Sequence, residues 1–182
     1  NFIIDENSCS IYFEDIIKSK FKILKKKDPT YLLKSIKNKT EISNMKKAHE
    51  LDGVALTKFL FWIKNVNQKK ITEVDAQNKL EKFRRMNKNY LYPSFDTIAG
   101  SGKNGAIVHY RANKNNCKII NNKDIFLCDS GGQYKYGTTD VTRTICFSKP
   151  SQNIKNIFTY VLKGHIAVAL TNLKKDDIGK KI

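Results

Sequence analysis

The strongest pattern along the chain is an apolar stripe at helical spacing. Ile42, Met45, Val54, Ala55, Phe59, Trp62, Ile63 and Val66 recur near the 3.6-residue period, predicting a long amphipathic helix over about 41–65. Thr40 is placed to cap it, with Glu41 in its first turn. Thr72-Glu73-Val74-Asp75 has the form of a capping box, with Asp where Glu or Gln is usual. It opens a second helix to about residue 86 that turns Val74, Leu80 and Phe83 inward. Pro93, Gly100, Gly102 and Gly105 then break the pattern, so 90–104 reads as a loop leading into a strand at 105–110 (GAIVHY). Two strands follow, 125–134 and 139–147, turning near Tyr136-Gly137. Ser151 caps a last helix carrying Ile154, Ile157, Phe158, Val161, Leu162, Val168 and Ala169 at the same period. The order α, α, β, β, β, α predicts an α+β fold with helices on one face of an antiparallel sheet. Residues 1–33 read as a broken set: a strand at 9–13, a short helix at 14–20, a strand at 21–24 and a turn at Asp28-Pro29.

Composition narrows this picture. With 182 residues the chain holds one domain or pieces of two, and 40% hydrophobic residues, including 10 Phe and 8 Tyr, suffice for a core. The longest apolar runs, 59–63 and 166–170, fall far short of the ~20 residues a membrane-spanning helix needs. The net charge of +17 points first to a polyanion partner. However, 30 of the 34 basic residues are Lys, beside 18 Asn, and both residues have A-rich codons. The densest cluster, 18–27 (KSKFKILKKK), lacks the clustered Arg and stacking aromatics of a nucleic-acid site, so coding bias accounts for the charge without such a partner. Cys9, Cys117, Cys128 and Cys146 form no C-x-x-C pair and no zinc-finger spacing, which indicates free thiols and a reducing, cytoplasmic setting. The chain starts at Asn1 without a signal peptide and ends in a connector-like run, 174–182, leading to the expectation of a piece of a longer protein.

Candidate chemistry concentrates in 125–147, IFLCDSGGQYKYGTTDVTRTICF. Asp129 ends a run of four apolar residues, where a carboxylate is costly unless it meets a cation, a metal or several hydrogen bonds. Asp140 repeats the situation on the next strand. Two acids in one site suit hard divalent cations such as Mn, Mg or Ca. Spacing alone favours instead an Asp129–Arg143 salt bridge with Asp140 capping a turn. For the acids to face each other, the hairpin must absorb one or two extra residues, and Gly131-Gly132 is the expected bulge. His109 is either a structural residue or, at the rim of such a site, a group that holds a substrate carbonyl or relays a proton. His49 and His165 fall in helices without acidic or histidine partners at i+4 and read as structural.

Four stretches together resemble a known family: NKTEISNMKKAHELDGVALTKFLFWI (38–63), GAIVHYRA (105–112), DSGGQYKYGTTDVTRT (129–144) and FTYVLKGHIAVA (158–169). They are similar to the cytosolic, three-domain Xaa-Pro aminopeptidases (aminopeptidase P) of the creatinase, or pita-bread, metallopeptidases. The resemblance implies that 35–182 is the N-terminal portion of a pita-bread catalytic domain with helices on a curved antiparallel sheet. It implies that 1–34 is the end of the preceding non-catalytic creatinase-like domain. It further implies that Asp129 chelates one of two Mn2+ ions, that Asp140 bridges both, and that His109 binds substrate. A metal-bridged hydroxide would then attack the carbonyl of the bond preceding proline in peptides with N-terminal Xaa-Pro. A homodimer of the full-length protein and a cytoplasmic location are part of the same expectation. The family pattern also needs one more metal-binding His and two Glu further along. After Asp140 the chain offers only His165 and no Glu, so the 182 residues alone are predicted to be inactive and to bind Mn weakly. Competing readings are a pita-bread binding module that has lost catalysis, and another enzyme on the same fold, a prolidase or a methionine aminopeptidase.

Overall fold

The computed structural model describes residues 1–67, 70–174 and 179, so most of the connector expected at 174–182 lies outside the described residues. The chain groups into two units, 1–47 and 48–182.

In the first unit, β1 (Phe2–Ile4) pairs in parallel with β2 (Ile23–Lys25), and α1 (Ile11–Lys18) connects them in sequence. The strand expected at 9–13 is therefore mostly helix. Ser10 is extended and its Oγ accepts the Phe13 N–H, so the chain enters a helical turn with Glu14 at its positive end. A short α2 (Thr30–Ser35) follows. The long helix, α3 (Lys39–Asn65), forms as expected, with its residues from Ala48 onward grouped in the second unit. Its cap is Asn38 rather than Thr40: Asn38 Oδ1 accepts the Glu41 N–H at 2.9 Å, and Glu41 Oε2 accepts the Asn38 N–H at 2.8 Å.

In the second unit, α4 (Glu73–Arg85) starts at the anticipated capping box, with Thr72 and Asp75 exchanging hydrogen bonds. Six strands follow: β3 (Tyr90–Pro93), β4 (Ile98–Ser101), β5 (Ile125–Ser130), β6 (Gly132–Tyr134), β7 (Gly137–Thr138) and β8 (Val141–Cys146). They form two antiparallel sheets ordered β3-β6-β7 and β4-β5-β8. The first two strands lie where a loop was expected. They are only four residues long, and long-range pairing with β6 and β5, rather than local alternation, makes them strands. The strand expected at 105–110 is instead a 3₁₀ turn (Gly102–Ala106) and a bend. A Cβ on Gly100 would meet Gly105 N at 2.7 Å, so the chain folds back tightly on β4 here.

Leu56, Phe59 and Ile63 of α3 and Ala76 and Leu80 of α4 pack on Ala99, Phe126 and Cys128 of the second sheet. Helices thus cover one face of an antiparallel sheet, as the sequence predicted. Each fully buried aliphatic or Phe side chain here contributes about 1.5–3 kcal/mol. Within this core lies a charged pair that the sequence did not reveal. Arg84 and Asp52 are 1% and 2% exposed, with Nε to Oδ1 at 2.7 Å and Nη2 to Oδ2 at 3.1 Å. Arg84 Nη2 also donates to Ser130 Oγ at 3.0 Å, and Tyr134 Oη donates to Asp52 Oδ1 at 2.8 Å. α5 (Gln152–Ala169), capped by Ser151 as expected, buries no residue and leaves Ile157, Phe158 and Val161 exposed.

Asp52→Ala strands the guanidinium in the core, and the expected cost is about 3–5 kcal/mol, read as a lower urea midpoint. The pH dependence of that midpoint has a definite sign. Burial pushes the Cys128 thiol up to about 12 from 9.0, and it also raises the Tyr90 and Tyr134 phenols. These groups keep their protons longer when folded than when unfolded, so stability is full below the unfolded values and falls as pH rises through them. The midpoint is expected to decline from pH 9 upward, with the earliest part of the decline absent in Cys128→Ala.

Candidate active site

The alternation of β5 decides where its acid goes. Phe126, Cys128 and Ser130 face the core, while Ile125, Leu127 and Asp129 take the less buried face. Across the ladder Asp129 stands opposite Thr142 of β8, and Thr142 Oγ1 donates to Asp129 Oδ1 at 2.8 Å. One register runs through the whole hairpin: Ser130 faces Val141, Thr139 N donates to Gly132 O, and Tyr134 faces Gly137. The turn is therefore Lys135-Tyr136, and no residue is inserted. The expected bulge at Gly131-Gly132 is absent, and the acids do not stand opposite each other. Asp140 falls opposite Gly131, one diagonal step from Asp129 on the same face.

Gly131 has a different task. A Cβ there would overlap Thr139 O and Ser94 Oγ. Ser94 Oγ donates to Thr139 O at 2.9 Å, Ser94 N donates to Gly131 O at 3.2 Å, and Gly132 N donates to Thr139 Oγ1 at 2.9 Å. This clasp holds the stretch between the two acids where the hairpin passes from one sheet to the other.

Asp129, Asp140 and His109 line one cavity of about 380 Å³, together with Phe95, Asp96, Ile98 and Arg111. His109 is exposed and reaches the cavity from the bend after the 3₁₀ turn, with φ of 54°. His is among the few residue types that adopt the left-handed region with any frequency. Arg111 pairs with Asp96 at the rim. Arg143 does not pair with Asp129; it donates to Thr142 O at 2.9 Å. Among the described residues, neither Asp129 nor Asp140 has a basic group within ion-pair distance.

Behind the His109 segment sits Glu73, fully buried. Its Oε1 accepts from Ser101 N (2.7 Å), its Oε2 accepts from Tyr110 Oη (2.8 Å) and Lys118 N (2.9 Å), and Asn104 Nδ2 reaches both oxygens at 3.0 Å. Burial and the bond to Glu73 push the Tyr110 phenol up to about 12. In the sequence Glu73 was legible only as part of a capping box, and its partners lie up to 45 positions away.

Two carboxylates without a thiolate form a hard-oxygen donor set that suits Mn2+ or Mg2+. Among the described residues no cluster of three or more His, Cys, Asp or Glu is arranged to hold a metal. Asp129 and Asp140 therefore fit part of a divalent-cation shell.

Helices α3 and α4 thus cover one face of the β4-β5-β8 sheet, while Asp129 of β5 takes the other and shares a cavity with Asp140 of the same hairpin. The chain belongs to metallopeptidase family M24, whose sequence model matches residues 43–182. Among relatives, it is 45% identical over 161 residues to a probable Xaa-Pro aminopeptidase P of Paracoccidioides brasiliensis (strain Pb18), covering 87% of this chain and 26% of that protein. To a probable Xaa-Pro aminopeptidase P of Sordaria macrospora it is 48% identical over 138 residues, 74% of this chain and 22% of that protein. Its fold is similar to that of X-prolyl aminopeptidase from Caenorhabditis elegans, a cytosolic enzyme with a di-nuclear active site (TM-score 0.73, 32% identity, 79% of this chain and 24% of that chain). It is also similar to the Xaa-Pro dipeptidase from Bacillus anthracis (TM-score 0.75, 26% identity, 90% of this chain and 44% of that chain). The chain spans about a quarter of the length of the curated relatives it matches.

Two glycines of the chain, one in the clasp and one in a helix, face opposite constraints. Gly131→Ala drives a methyl into backbone and is expected to cost about 1–3 kcal/mol or more. Gly53→Ala, mid-helix in α3 with nothing within 4 Å of the new Cβ, is expected to stabilise by about 0.5–1 kcal/mol. Urea midpoints of the two variants check both signs.

Proposed function

We propose that this chain is the first part of the catalytic domain of a dinuclear-metal aminopeptidase that removes the N-terminal residue from peptides with proline in second position. The observation that carries the reading is the convergence of Asp129, Asp140 and His109, from three separate segments, on one cavity. The relatives named as Xaa-Pro aminopeptidases supply the reaction class.

In this reading Asp129 would supply part of the shell of one of two divalent cations, Mn2+ by family resemblance, and Asp140 part of the shell of both. Bound cations of this kind lower the pKa of water and polarise a carbonyl. His109 binds the peptide beside them, from the same cavity. Thr142 orients Asp129 through its hydroxyl. Proline at the second position gives a tertiary amide with no N–H, so recognition rests on the ring's shape and the free amino group. Residues 1–34 are assigned to the end of a preceding non-catalytic domain and 35–182 to the catalytic one. The full-length protein is assigned a cytoplasmic location and a homodimeric state. A module that merely binds has no need of two unpaired acids at one cavity, which disfavours the non-catalytic alternative.

The test uses the protein as its gene encodes it, with Mn2+ titrated by calorimetry and an Xaa-Pro-Yaa peptide as substrate. Asp129→Asn and Asp140→Asn are expected to lower kcat/KM on the order of 10³-fold, about 4 kcal/mol of transition-state stabilisation. The 182 residues alone are expected to show weak Mn2+ binding and no turnover. Turnover by Asp140→Asn at the unsubstituted rate would overturn the reading. Hydrolysis of Xaa-Pro dipeptides only, with longer peptides untouched, would replace it with a prolidase.

A further inference from the structure

We infer that Glu73 is the positioning residue that presents His109 to the peptide; this rests on the reading of His109 as a substrate-binding residue. A fully buried carboxylate is tolerated only when its lone pairs are used, and here they are filled without any basic side chain. The donors are not scattered. Ser101, Asn104, Tyr110 and Lys118 bracket His109 on both sides, and Tyr110 is its immediate neighbour.

The segment between them has little else to hold it. Residues 106–109 are all exposed, and beyond the 3₁₀ turn the bend is closed by two backbone bonds, Ile107 N to Asn104 O and Tyr110 N to Ile107 O. His109 nonetheless adopts a left-handed backbone, which persists only where the surroundings over-determine it. The over-determining contacts converge on the Tyr110 hydroxyl, which lies 2.8 Å from Glu73 Oε2, from Asn116 O and from Asn104 Nδ2, itself bonded to Glu73. Glu73 itself is fixed at the first turn of α4, where the helix dipole favours a negative charge. The chain therefore anchors a substrate-binding turn to a rigid helix end through one carboxylate. Glu73 does not line the cavity, and its hydrogen-bond partners Ser101, Asn104, Tyr110 and Lys118 are not lining residues either, so it acts on binding through the His109 segment and leaves the metal ligands alone.

The test compares Glu73→Gln, Tyr110→Phe, His109→Ala and the two double variants with His109→Ala, all in the protein as its gene encodes it and loaded with Mn2+. Glu73→Gln keeps the side chain's shape but puts an amide donor among donors. KM for an Xaa-Pro-Yaa peptide is expected to rise about 10–100-fold, as for other supporting groups behind a site, with kcat and the Mn2+ isotherm unchanged. Tyr110→Phe removes the hydroxyl from this set, and with it the contacts to Asn104 and Asn116; it is expected to raise KM in the same sense, which keeps the test alive if Glu73→Gln fails to fold. In the His109→Ala background neither substitution is expected to raise KM further, whereas a general loss of structure adds in full. Full additivity on His109→Ala, or an unchanged KM in both Glu73→Gln and Tyr110→Phe while His109→Ala raises it, would overturn this inference and leave the function of the site intact. An unchanged KM in His109→Ala itself would overturn the assignment of His109, and this inference with it.

Discussion

The buried Asp52–Arg84 pair ties four elements of the second unit together. Either charge alone in that core would be untenable; together they are satisfied by two direct bonds plus the hydroxyls of Ser130 and Tyr134. The four residues come from α3, α4, β5 and β6, so none of those elements can slide without leaving an ion unpaired in apolar surroundings. Ser130 also follows Asp129 directly. Fixing the Ser130 hydroxyl toward the core fixes the rotation of β5 and, by the two-residue period of a strand, sends Asp129 to the other face. A pair that contributes little net stability over an apolar replacement thus sets which side of the sheet carries the acids.

The buried and open acids of this unit are treated in three distinct ways. Asp52 is neutralised by a guanidinium, and Glu73 is solvated by backbone, amide and phenol donors. Asp129 and Asp140 have neither. They line a cavity, one of them holding a single threonine hydroxyl. The first two acids are spoken for by the protein itself and act on its architecture. The last two keep lone pairs free, and that difference, more than the presence of carboxylates, separates a cation site from structural ionic contacts.

Much of this was legible in the residues. The stripe from Ile42 to Ile63 marks α3, the box at Thr72 marks the start of α4, and Ser151 marks α5, because helix signals are local and periodic. The acids of the candidate site stood out because a carboxylate after four apolar residues violates the pattern around it. What stayed hidden depends on long-range pairing. Strands β3 and β4 are too short to alternate and exist through partners up to 44 positions away. GAIVHY has strand-like residues, yet the approach of Gly100 to Gly105 folds it back, and no local propensity encodes that contact. Asp52, Arg84 and Glu73 look like surface charges on amphipathic helices until the sheet is in place. The bulge was expected from the wrong premise that the two acids must stand opposite each other.

The diagonal placement of the acids is better physics than that premise. Directly opposed carboxylates on an antiparallel pair lie about 4.5–5.5 Å apart at Cβ and destabilise the sheet they belong to. Here Asp129 faces a threonine that donates to it, and the register on either side of the sheet junction sets Asp140 against Gly131, which has no side chain. Each acid thus meets a neutral neighbour across the ladder, and the hairpin forms without needing a counter-charge between them. The clasp of Ser94, Gly131 and Thr139 keeps that offset fixed where the strand passes between sheets. The offset also leaves space between the two carboxylates on the face they share. A cation held there meets two carboxylates offset along the hairpin rather than directly opposed across it.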